Sequence, residues 1–182
     1  MKRIVWKFGL LGGVIVAVFT AILFPMCLNG TIKLKNSEVL GYTAMVLAYL
    51  MVFAGIRSYR EQNGGTITFG KAFQVGILIT LVTCMVYVVS WEIVYYGFLP
   101  DFGERYATAV LARAKETGAS PAVLAKKQHE LADFAIKYHN PFFNVGMTFL
   151  EVFPVGLIMT LVAAGILRRS EPREPERSVV AA

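Results

Sequence analysis

Apolar residues run along this chain in four long blocks, and most charged residues gather between and beyond them. The blocks lie at about residues 8–28, 39–56, 72–99 and 142–167. Crossing a hydrocarbon core takes about 20 apolar residues of helix. Only helices and closed barrels satisfy the backbone in lipid, and runs this long with so little alternation predict helices. The third block exceeds the minimum, which lets its helix tilt or extend past the headgroups.

The connection over residues 100–141 carries helix signals of its own. Asp101 is placed to cap a helix beginning near Phe102, and Gly118 to end it with Lys115 in the last turn. Ser120 and Pro121 then open a second helix as cap and first residue. Along that helix Leu124, Leu131, Phe134 and Tyr138 fall on one face. The expected architecture is an all-α membrane protein of four transmembrane helices, with an extracytoplasmic helical hairpin between the third and fourth. Residues 1–169 form the membrane domain, and residues 170–182, with two prolines and mixed charge, read as a disordered cytoplasmic tail.

Composition agrees with this partition: 56% of residues are apolar and the mean hydropathy is +0.58. The net charge of +6 changes the picture only through its placement, because the basic residues flank the apolar blocks and form no stripe for nucleic acid. Lys2, Arg3 and Lys7 precede the first block, Arg57, Arg60 and Lys71 lie between the second and third, and Arg168, Arg169, Arg173 and Arg177 follow the fourth. The opposite side carries Lys33 and Lys35 in a short loop and a scatter in the long connection. That excess predicts cytoplasmic N- and C-termini. The first block is too long for a cleaved signal and lacks a small-x-small site, so it reads as an uncleaved first helix. Cys27 lacks the small residues that would mark a lipid anchor, and the sequon at Asn29 reads as chance. Cys27 and Cys84 lie at depths too different for a disulfide.

Candidate chemistry is sparse. Residues 65–71 match the spacing of a phosphate-binding loop, but Ala72 stands where a hydroxyl would meet magnesium and both flanking helices are membrane spans. No nucleotide site is therefore expected. Glu92 in the third block and Glu151 in the fourth are different. Antiparallel helices bring them to similar depth, and ionisable residues in a span usually face the bundle interior beside a partner. Asn144, Thr148 and Glu151 follow i, i+4, i+7, Glu92 shares a face with Tyr96, and Pro154 frees the carbonyl of Leu150. Thr20 lies at comparable depth. Glu92, Glu151, Tyr96, Thr148, Asn144 and Pro154 thus make a candidate proton or cation site. The bland alternative is a pair of protonated acids that merely tie helices together.

Weaker signals complete the reading. Gly9 and Gly13 form a GxxxG motif, suited to a dimer face or to internal packing. Trp91, Tyr95, Tyr96 and Phe98 suggest an interfacial aromatic belt. His129, Asp133 and His139 read as solvated more readily than as metal ligands, so no metal or other cofactor is expected. With no nucleophile–base pair to name, the chain is not expected to be an enzyme.

Several blocks together carry a family resemblance: Gly55-Ile-Arg-Ser-Tyr-Arg60, Asn63-Gly-Gly65 with Phe69-Gly-Lys-Ala-Phe73, Trp91-Glu-Ile93, Pro100-Asp-Phe102 and the run from Thr148 to Leu157. In these the chain resembles the bacterial domain of unknown function 4199 family over about residues 1–169. The resemblance implies a four-helix membrane protein of bacterial type and supplies no activity; the expected location is the bacterial inner membrane. The expected role is a small transporter component that handles a proton or cation with two buried glutamates. The alternative is a non-catalytic scaffold or assembly factor acting through the outer hairpin. The expected partners are the lipid bilayer and either a second copy or another membrane protein.

Overall fold

The computed structural model describes the backbone of residues 1–28 and 34–169, and the side chains of residues 1–22 and 39–169. The readings of Cys27, Asn29, Lys33, Lys35 and the tail fall outside the described side chains. Six helices follow in order among the described residues: α1 (Lys2–Leu28), α2 (Leu34–Gln62), α3 (Phe69–Phe98), α4 (Phe102–Glu116), α5 (Pro121–Tyr138) and α6 (Pro141–Leu167). Four of them, α1, α2, α3 and α6, are long and apolar enough to cross a membrane.

These helices outrun the predicted blocks because apolar length measures the bilayer, whereas capping ends a helix. The helix α2 continues through Arg57 and Glu61, which pair at 2.9 Å, and stops at Gly64 and Gly65 with φ of 71° and 81°. Thr68 then caps α3, its hydroxyl accepting from the Lys71 amide. The turn between α2 and α3 is tied to the end of α6 by reciprocal backbone bonds of 2.9 Å between Ile67 and Arg169. Arg60 Nη1 donates to the Leu167 carbonyl at 3.3 Å. This segment, which mimics a phosphate loop in sequence, is a brace between helix ends.

Helices α2 and α3 form the centre, and α1 and α6 each pack on both. Small residues permit the closest approaches. A Cβ on Gly9 would lie 2.6 Å from Val82, and one on Gly13 would lie 2.4 Å from Val86, so the GxxxG face of α1 is spent on α3 inside the chain. On the other flank Gly156 sits against Thr80 and Tyr49. Buried hydroxyls supply the polar contacts that lipid cannot offer. Thr80 and Thr160 share a hydrogen bond of 2.9 Å, Thr83 donates to the Gly9 carbonyl at 3.2 Å, and Tyr49 donates to the Val152 carbonyl at 2.9 Å. Cys84 is a free, buried thiol beside the Tyr49 hydroxyl.

Helices α4 and α5 pack on each other, with Ala135 against Gly103. Gly118, with φ of 79°, makes the turn between them, and the Ser120 hydroxyl accepts from the Val123 amide as expected. Asp101 departs from expectation. Its carboxylate makes no cap bond and instead accepts from Arg105 Nε at 2.7 Å, an exposed i, i+4 pair that competes with the cap. The inward face of α5 is the predicted one: Leu124, Leu131 and Phe134 are half-buried and Tyr138 is buried.

Candidate functional site

The end of α5 seats on α3 and α6 through an aromatic cluster of Trp91, Tyr95 and Tyr138, flanked by Phe102, Phe134 and Phe143. Trp91 meets Phe102 edge-on at 5.1 Å between ring centroids, and Tyr95 meets Tyr138 edge-on at 5.4 Å. The expected interfacial belt is therefore divided. Trp91 and Tyr95 are buried as the seat of the hairpin, while Tyr96 and Phe98 remain exposed. Aromatic residues near a span end serve either purpose, and only the hairpin's position decides between them.

Two buried side-chain hydrogen bonds lie in and beside this cluster. Trp91 Nε1 donates to the Tyr138 hydroxyl at 2.9 Å, and the Thr148 hydroxyl donates to Asn144 Oδ1 at 3.2 Å. Thr148 lies beside the Tyr138 hydroxyl. Asn144 is fully buried, and its Nδ2 has no acceptor. On α3 the Glu92 Oε1 is likewise shielded from solvent and has no donor. Burial pushes the Tyr138 phenol above its usual range, and both Glu151 and Glu92 lie within electrostatic reach of it. Tyr87 of α3 lies beside Thr20 of α1 and within electrostatic reach of Glu151 and Tyr138.

The expectation of two buried glutamates is corrected. Glu92 is half-buried and Glu151 is exposed, and no hydrogen bond joins them. The reason lies in the packing row of α6. Its buried stripe is Asn144, Thr148, Val152, Gly156, Thr160 and Ala164, an unbroken i+4 series that drifts around the helix. Glu151, placed on the stripe by a seven-residue step, is left at its edge. On α3 the corresponding series Ala72, Gly76, Thr80, Cys84 and Val88 runs on to Glu92, which is why that acid is half-covered.

Two assigned helpers also change. Tyr96 is 50% exposed and its ring lies edge-on to Tyr95 at 4.9 Å, away from an orienting role toward Glu92. Pro154 sits inside a continuous α6, and it and Leu150 are exposed, so the carbonyl it frees lies on the outer face. Asn144 and Thr148 are both buried and hydrogen-bonded to each other. The pairing of Tyr138 with Trp91 was not expected from the sequence, although Tyr138 ends the apolar face of α5 with the one hydroxyl on it. The histidines go separate ways: His129 meets Asp133 at 3.3 Å on the surface, and His139 Nδ1 meets the Tyr95 hydroxyl at 3.2 Å.

The model of the family described as protein of unknown function (DUF4199) matches residues 7–169, and the chain belongs to that family. No curated protein and no solved structure matches it significantly.

Proposed function

We propose that this DUF4199 member is a non-enzymatic, multi-pass protein of the bacterial inner membrane that takes up a proton or small cation at the Glu92–Tyr138–Asn144 cluster. The observation that carries this reading is the coexistence of two shielded, unpaired polar atoms in one cluster, Glu92 Oε1 and Asn144 Nδ2. Buried polar atoms are nearly always paired, and ionisable groups within a span are costly and usually functional. A proton or a cation taken up by the Glu92 carboxyl would engage the oxygen that the protein leaves open, and an acceptor oxygen carried in with it would meet the Asn144 Nδ2 donor. Glu151, at the edge of the same region, is suited to entry and not to a buried pair. In this reading the chain ends and the α2–α3 turn face the cytoplasm, and the hairpin faces outward.

The test is flux into sealed vesicles holding purified protein, read with an internal pH dye under proton, sodium and potassium gradients. Wild type should conduct, and Glu92→Gln should lose at least about tenfold with its melting temperature retained. Equal flux in the two proteins, or none under any gradient, would sink the proposal.

A scaffold role is the second reading, favoured by Ile136, which is 72% exposed on a hairpin whose other large apolar residues turn mostly inward. A photo-crosslinker at position 136 should then capture a second copy or another membrane protein. Adducts to lipid alone would remove this alternative.

A further inference from the structure

At the end of the bundle opposite the hairpin, a cavity of about 490 Å³ opens between the start of α1 and the last turns of α2. It is lined by Lys2, Arg3 and Lys7 on one side and by Ser58 and Gln62 on the other. Its size lies within the ~300–1,000 Å³ typical of small-molecule sites. Three cationic side chains converge there with two neutral hydrogen-bonding ones, and no carboxylate lines the space. Glu61, next in sequence to Gln62, is held outside by Arg57 at 2.9 Å. The positive charge is therefore left without a counter-ion from the cavity wall.

The depth of the cavity indicates what supplies the anion. Lys2 begins a candidate span, and Trp6, one residue before Lys7, is 57% exposed, as an indole at the headgroup level is. Lys7 lays its ammonium 5.4 Å from the Phe8 ring centroid, at the boundary between apolar helix and polar surface. Basic pockets between transmembrane helices at this level suit phosphate-bearing headgroups. We infer that this cavity binds the phosphate of an anionic phospholipid, with Arg3 and Lys7 as its principal charge partners and Ser58 and Gln62 as neutral donors. The assignment is independent of the proton or cation site, which lies at the other end of the bundle.

Native mass spectrometry of the full chain, released from nanodiscs containing phosphatidylglycerol and phosphatidylcholine, reads the occupancy directly. Wild type should retain phosphatidylglycerol preferentially, and the Arg3→Gln/Lys7→Gln double variant should lose at least about tenfold of it. Lys71→Gln removes a positive charge at the same end without touching the cavity lining, and should leave retention unchanged. Equal loss in Lys71→Gln and the double variant would show only diffuse surface attraction and overturn the site. Equal retention in all three proteins would overturn it as well. If the double variant fails to fold, Ser58→Ala/Gln62→Ala serves in its place, and its unchanged retention would overturn the assignment. Inorganic phosphate in detergent is the second arm. Protection of the melting temperature by millimolar phosphate equal to that from phosphatidylglycerol would overturn the lipid source in favour of a soluble phosphate.

Discussion

Trp91 on α3 donates its indole proton to the hydroxyl of Tyr138 on α5 across 2.9 Å, a buried bond that joins the hairpin to the membrane bundle. The two residues lie 47 positions apart in sequence, and both are at least nine-tenths buried. Replacing Tyr138 with Phe keeps the ring and removes the hydroxyl to which the Trp91 N–H donates. Losing one partner of a buried hydrogen bond costs about 1–3 kcal/mol. The expected outcome for Tyr138→Phe is faster hydrogen exchange over α5 with unchanged exchange in α1. Uniform protection in both would mean that the bond contributes nothing to docking.

Hairpin docking should also respond to alkaline pH. Burial raises the Tyr138 phenol pKa, and the carboxyls of Glu151 and Glu92 add in the same direction. A group whose folded pKa lies above its unfolded value of about 10 stabilises fully below that value and loses its contribution as pH rises through the folded one. Docking should therefore hold at neutral pH and weaken only above about pH 10. Trp91 fluorescence in a Trp6→Phe background follows it, and Tyr138→Phe should abolish the alkaline phase. Persistence of that phase in the variant would assign it to another tyrosine.

The small residues of α1 make a sharper distinction. A Cβ on Gly13 would fall 2.4 Å from Val86, whereas one on Gly97 or Gly146 meets nothing within 4 Å. Gly13→Ala should destabilise by about 1–3 kcal/mol, as overpacking does, while Gly146→Ala should be neutral or mildly stabilising. Thermal unfolding in detergent compares them. Because the GxxxG face is occupied by α3, Gly13→Ala should lower stability without changing oligomeric state.

Much of this architecture was legible because it rests on lengths and caps. Four apolar blocks define the spans, and Gly118, Ser120 and Pro121 punctuate the hairpin whatever surrounds it. The candidate site was legible only in part. Asn144 and Thr148 sit where a four-residue step puts them, but whether a stripe continues through Glu151 or Val152 depends on which ridge the neighbouring helix occupies. That choice is made by Gly156 against Tyr49 and Thr80, on two other helices. Trp91 was hidden for a related reason: near a span end, an indole at the headgroups and an indole under a docked hairpin have the same sequence signature.

Membrane orientation is open to a direct chemical test. Cysteine at position 63 lies in the α2–α3 turn, and cysteine at position 118 lies in the α4–α5 turn, both at exposed positions. In a Cys27→Ser/Cys84→Ser background an impermeant maleimide should label position 118 in intact cells, and position 63 only after the membrane is opened. Labelling of both from outside would overturn the assignment of the α2–α3 turn to the cytoplasm.

The unequal exposure of the two acids predicts unequal tolerance. Glu92 is half-buried with one oxygen fully shielded, so Glu92→Gln preserves its volume and offers a neutral amide that can still hydrogen-bond. Glu92→Lys places a longer, charged group on a half-buried face where its three protons need acceptors. Uncompensated burial of such a charge is severely unfavourable. Glu151 is exposed beside Leu150 and Pro154, so a lysine there has room to extend along the helix toward a polar interface. Folded yield after extraction should therefore fall steeply for Glu92→Lys, remain near wild type for Glu92→Gln, and fall modestly for Glu151→Lys. A reversed order, with Glu151→Lys the more damaging, would mean that the edge of α6 is covered in the membrane by a partner that contacts this acid.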